Sequence, residues 1–80
     1  LGEYGLSVLA AACADSAITV RTVAMTSLTD LLLKHQSCAP TISLQKAWIA
    51  GVLPNTTDNE PTVSNKACKL VCTLLDHAIS

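Results

Sequence analysis

Residues 15–37 and 58–80 of this chain lie in register over one another, 43 residues apart and without a gap. Asp15, Thr19, Val20, Ala24, Leu31, Leu32 and Ser37 fall on Asp58, Thr62, Val63, Ala67, Leu74, Leu75 and Ser80. The shared apolar residues sit where one face of a helix would be, so the repeated unit is a helix with the turn before it. A period of about 40–47 residues containing two helices marks the helical-repeat class, whose units bury apolar surface mainly against neighbouring units. The first expectation is therefore a scaffold whose faces are made for packing.

Composition agrees with that expectation. Half of the 80 residues are apolar, yet there is no Phe, one Trp and one Tyr, so the core must be built from Leu, Val, Ile and Ala. Only 14% of residues are charged, against a usual ~25%. Few charges on an apolar-rich short chain imply surfaces that something else covers. With no Met at the start and only two repeat units, the chain reads as an excerpt from a longer protein; stable solenoids usually need at least ~3 repeats with polar caps. The net charge of −1 makes the segment as a whole no electrostatic magnet for nucleic acid. Its longest apolar run, Val8 to Ala14, is far short of the ~20 residues that span a bilayer. No charged stretch precedes that run, which argues against a signal peptide.

Four helices are expected. The first covers about 4–13, with Leu6, Leu9 and Cys13 on one side. Asp15-Ser16 breaks it, and Ser16 is the expected N-cap of the second, about 17–35, which places Val20, Ala24, Leu28, Leu31 and Leu32 at helical spacing. A loop with Pro40 covers 36–41. The third helix, about 43–53, presents Leu44, Ala47, Trp48 and Val52, with Gly51 and Pro54 loosening its end. A polar turn over 55–59 leads to Pro61, which suits the first position of a helix because its missing N–H costs nothing there. The fourth helix, about 61–79, carries Val63, Ala67, Leu70, Val71, Leu74, Leu75 and Ala78 on one stripe. The fold expected is all-α: two antiparallel helix pairs, 1–37 and 38–80, forming part of an α-solenoid.

The residues Asp15, Val20-Arg21, Ala24, Leu28 and Leu31-Leu32 resemble the HEAT signature, and Pro54, Asp58, Val63, Ala67, Leu70 and Leu74-Leu75 resemble its second copy. Ser64 stands where a HEAT unit has Arg. The resemblance implies that Arg21 pairs with Asp15 or Asp58 between repeats and that Ser64 breaks any such ladder after the first unit. A narrower resemblance runs over about 19–79. Ser27-Leu28-Thr29-Asp30-Leu31-Leu32-Leu33, Leu44-Gln45-Lys46-Ala47-Trp48-Ile49, Gly51-Val52-Leu53-Pro54 and Asp58-Asn59-Glu60-Pro61-Thr62-Val63 are similar to the D-type HEAT subunits of condensin II. That resemblance implies a non-catalytic subunit in nuclei and on chromosomes, held by a kleisin beside SMC ATPases and supporting mitotic chromosome condensation. It also implies that chromosomal DNA meets the whole subunit. The alternative within the same architecture is a HEAT adaptor in phosphatase assembly or nuclear transport.

The remaining chemistry-bearing residues are weighed against plainer roles. Lys66 and Lys69 share the outer side of the fourth helix and are the candidates for DNA-phosphate contact, although Asp30, Glu60 and Asp76 lie near in sequence. The plainer role is a solvated face. Cys13, Cys38, Cys68 and Cys72 are expected as buried reduced thiols, with zinc held by Cys68, Cys72 and His77 as the sharper alternative. His35 and His77 suit the C-terminal ends of helices. Trp48 is expected to pack between helices rather than to serve a partner. Asn55-Thr56-Thr57 has the form of a glycosylation sequon but serves the turn. Thr57, with Glu60 three residues on, has the form of an acidophilic kinase site, near a helix N-terminus where negative charge is favoured. No phosphate loop, triad or paired-carboxylate pattern is present, so neither catalysis, nor a cofactor, nor a small-molecule substrate is expected.

Overall fold

The computed structural model describes the backbone of 3–34 and 42–79, and side chains over 5–34 and 44–77. Its elements are helices α1 (Glu3–Ala12), α2 (Ile18–Lys34), α3 (Ile42–Val52) and α4 (Pro61–Ile79), with a 3-10 segment at Leu53–Thr57. No strand occurs among the described residues, so the chain is all-α. The loop over 36–41, His35 and Cys38 lie outside the described residues.

The helices form two layers. α1 packs on α3 and α2 packs on α4, while α2 also touches α1 and α3 across the layers. The Cα positions span 34 × 30 × 15 Å. The thin dimension fits two layers of helices whose axes lie about 8–10 Å apart. α3 touches α4 only lightly, and the 3-10 segment packs against α4 instead.

Both turns entering the long helices are built alike. The Asp15 carboxylate accepts the Ala17 N–H at 2.9 Å, and the Asp58 carboxylate accepts the Glu60 N–H at 2.8 Å. The first helical bonds then reach Ala17 O from Arg21 N and Glu60 O from Ser64 N. Ala17, not Ser16, is therefore the N-cap of α2. The cause is Asp15, whose side chain folds the backbone two residues on. Pro61 begins α4 as expected.

One core joins the layers: Leu6, Cys13, Ala24, Met25, Leu28, Leu32, Leu44, Trp48, Val52, Val63, Ala67 and Leu70. Burying a Leu or Val side chain contributes about 1.5–3 kcal/mol relative to exposure, so this set is the main stabilising term. Two assignments to the stripes change. Val20 is 39% exposed and Leu75 is 58% exposed. Met25 and Thr29, which lie outside the stripe expected from sequence, are fully buried in α2. No helix of the described residues is long and apolar enough to cross a membrane.

Candidate functional site

Gly51 is a point of close approach between α3 and the end of α1 and α2. A Cβ at this position would lie 2.9 Å from Cys13 Sγ and 3.2 Å from Leu28 Cδ1. Gly51 is the penultimate residue of α3, which gives way to the 3-10 segment at Leu53, and its missing Cβ lets Cys13 and Leu28 seat against its backbone. Buried there, Cys13 has its thiol pushed from 9.0 up to about 11, because an apolar setting disfavours the thiolate.

Asn55 fastens the same joint. It is buried, and its Nδ2 donates to Cys13 O and to Gly51 O, both at 2.8 Å. An amide nitrogen has two protons, and both are used. One bond reaches the end of α1 and the other the end of α3, so a single side chain ties the first pair to the second. From sequence alone Asn55 belongs to a polar turn, and this role goes unseen. The i−4 relation to Gly51 is the trace that could have raised it.

Arg21 adds a clasp on the surface side. Its Nη1 donates to Asp15 O at 2.8 Å and to Ser16 O at 3.2 Å, and its Nη2 lies 3.5 Å from Asp58 Oδ1. Asp15 and Asp58 thus meet Arg21 differently: Asp15 through its main-chain carbonyl, Asp58 through its carboxylate. The carboxylate of Asp15 serves Ala17 instead. Arg21 Nε is buried and finds no acceptor among the described residues, so the head group is held at one end. Only 12% of the Arg21 side chain and 20% of the Asp58 side chain are exposed, which limits screening of the pair.

Trp48 is the third link. It is buried, and its indole Nε1 donates to Thr29 Oγ1 at 2.9 Å while that hydroxyl donates to Met25 O. The indole body packs between helices with its one polar atom satisfied.

The outer face of α4 gathers different chemistry. A shallow groove there is lined by Asn65, Cys68, Lys69, Cys72, Thr73 and Asp76. Cys68 and Cys72 are free and exposed, against the expectation of buried thiols. The physical reason is the repeat itself: they occupy the positions of Met25 and Thr29 in α2, which α3 covers, and no described helix covers them on α4. Among the described residues no cluster of three or more His, Cys, Asp or Glu could hold a metal ion. Lys69 is exposed and lines this groove with Asp76, whereas Lys66 is half-buried and is not among its lining residues.

The geometry defines an all-helical packing unit in which α1 and α2 are joined to α3, the 3-10 segment and α4 through Gly51, Asn55 and Arg21. Its sequence resembles the D3 subunit of condensin II. Over 75 residues it is 40% identical to "Condensin-2 complex subunit D3-L" of Xenopus laevis, covering 94% of this chain and 5% of that relative. Over 49 residues it is 43% identical to "Condensin-2 complex subunit D3" of Mus musculus, covering 61% of this chain and 3% of that relative. The chain thus spans about a twentieth or less of the length of these curated relatives. No family model matches it, and no solved structure matches it.

Proposed function

We propose that this chain is a non-catalytic scaffold segment of a condensin II D3-type subunit, built as two HEAT repeats covering 1–37 and 38–80. The observation that carries the reading is the 40% identity to the Xenopus relative across nearly the whole chain. The doubled Asx turns at Asp15 and Asp58 and the Arg21 clasp between them support the repeat assignment.

In this reading the uncovered face of α4 receives the next helix pair of the longer protein. Cys68, Cys72 and Leu75 are exposed on α4, while their counterparts Met25, Thr29 and Leu32 are buried on α2. A following pair seated on α4 would repeat what α3 does to α2. The segment's work is then to hold the curvature of a superhelix, in the nucleus and on chromosomes, beside the kleisin and SMC ATPase subunits. Of Lys66 and Lys69, Lys69 lines the groove that such a following pair would cover, which leaves Lys66 as the residue of the segment offered to DNA phosphates. Such contacts are sequence-independent and weaken with salt.

Affinity purification of the full-length parent from mitotic cells, with mass spectrometry of what co-purifies, tests the reading. Recovery of an SMC pair and a kleisin is expected. Recovery of phosphatase subunits or transport factors in their place would overturn the chromosome role while leaving the helix pairs intact.

A further inference from the structure

We propose that Thr57 is a phosphorylation site for an acidophilic protein kinase, and that its phosphate loosens the joint between the two helix pairs. The proposal rests on placement in this fold and does not require the condensin reading. Thr57 is exposed at the end of the 3-10 segment. Asp58 follows it directly, and Glu60 lies three residues on. Those carboxylates stand where a basic substrate groove would read them by charge-assisted hydrogen bonds. Asn59 and Glu60 are exposed and Asp58 partly so, which leaves the segment open to an enzyme.

The transfer takes the γ-phosphoryl group of ATP to Thr57 Oγ1. A bond forms between Oγ1 and the γ-phosphorus, and the bond from that phosphorus to the β–γ bridging oxygen breaks. ADP leaves with the electron pair, and the hydroxyl proton passes to the kinase's base.

The consequence follows from what Oγ1 does beforehand. It donates to Pro54 O at 3.2 Å, as Thr56 Oγ1 donates to Leu53 O at 2.7 Å, and these bonds help close the 3-10 turns. Phosphorylation removes that donor proton and sets about 1.5–2 negative charges against a carbonyl oxygen. The side chain must swing away, toward a stretch that already holds Asp58 and Glu60. The α4 N-terminus, which the sequence offers as a favourable place for this charge, begins four residues on at Pro61, and Asp58 and Glu60 lie between. Arg21 Nη1 spends both protons on the Asp15 and Ser16 carbonyls and Nη2 holds Asp58, so a phosphate drawn to Arg21 competes with Asp58 for Nη2. Either way the clasp is disturbed, and the 3-10 segment that holds Asn55 against Cys13 O is weakened.

The test treats the full-length subunit with a casein-kinase-type acidophilic kinase and ATP. Sites are mapped by mass spectrometry and backbone opening is followed by hydrogen exchange. The expected result is phosphate on Thr57, abolished in Thr57→Ala and kept in Thr57→Ser. Glu60→Gln, which spares the Arg21–Asp58 pair, is expected to slow incorporation several-fold. Exchange across 53–60 and 15–21 is expected to quicken by about tenfold, the factor that breaking one charge-assisted hydrogen bond gives. Absence of phosphate on Thr57 in the unsubstituted protein overturns the site, as does incorporation into Glu60→Gln at the parent rate. Unchanged or slower exchange in the phosphorylated protein overturns the loosening.

Discussion

Helices α2 and α4 carry related sequences into unlike surroundings. Val20, Ala24, Leu31 and Leu32 of α2 are repeated as Val63, Ala67, Leu74 and Leu75 of α4. Ala24 and Ala67 are both buried, yet Leu32 is 7% exposed and Leu75 is 58% exposed. Val20 and Val63 differ the other way: Val63 is fully buried, on the helix that the 3-10 segment packs against, while Val20 is 39% exposed. Identical side chains thus differ in burial because helix neighbours decide which part of an apolar stripe is covered. α2 has helices on more than one side, whereas α4 presents one of its faces to solvent. A periodic stripe states what a helix can bury, and the neighbours determine what it does bury.

The sharpest way to break this comparison is a matched pair of truncations. Leu32→Ala should cost about 3 kcal/mol, while Leu75→Ala should cost no more than about 0.5 kcal/mol, as read by chemical denaturation. Equal costs would mean that α4 is covered as α2 is. Asn55→Ala comes next. It strands Cys13 O and Gly51 O at the joint, and a destabilisation of about 2 kcal/mol is expected. Asn55→Asp should be at least as damaging, because a carboxylate cannot donate to either carbonyl.

Arg21→Ser makes the turn of α2 like that of α4, where Ser64 holds the equivalent place. A destabilisation of about 1 kcal/mol is expected, and it should shrink at high salt because the Asp58 contact is the ionic part. A neutral result would show that the two carbonyl bonds and the ion pair are replaced by water at no cost.

The smallest effect concerns the thiols. Alkylation of the folded chain near pH 8 should modify Cys68 and Cys72 and spare Cys13, which reacts only on unfolding. The Cys13 thiol is held at about 11 in the fold, above its ordinary 9.0, so the folded form retains its proton longer than the unfolded form. Its contribution to stability is complete below pH 9 and fades as pH rises through about 11. Denaturation midpoints of the parent and Cys13→Ala measured across that range should converge with rising pH.

Much of the architecture was legible in the sequence. Apolar spacing located four helices to within a residue or two, and Pro61 marked the start of α4. The joint was much less legible. Gly51 and Asn55 carry ordinary turn signals, and their roles arise from Cys13, far away in sequence, whose Sγ and carbonyl they meet. No local pattern encodes that meeting. The exposure of Cys68, Cys72 and Leu75 was hidden for a related reason: the stripe is apolar as its spacing implies, but burial depends on which neighbours are present. Ser16 is not the N-cap, because the Asp15 carboxylate takes the Ala17 N–H and the first helical bond then reaches Ala17 O. The Arg21 geometry lies between these cases. Its two acidic neighbours follow from the resemblance, while the carbonyl contacts to Asp15 and Ser16 are visible only in three dimensions.

Whether the stack continues past α4 is open to one direct measurement: maleimide labelling of Cys68 and Cys72 in the native full-length subunit, followed peptide by peptide and compared with the isolated 80-residue chain. On the proposed stack, labelling should be fast in the isolated chain and suppressed in the full-length protein, where a next helix pair would cover the positions equivalent to Met25 and Thr29. Equal labelling of both would contradict the continued stack and leave the α4 face as an open surface of the mature subunit.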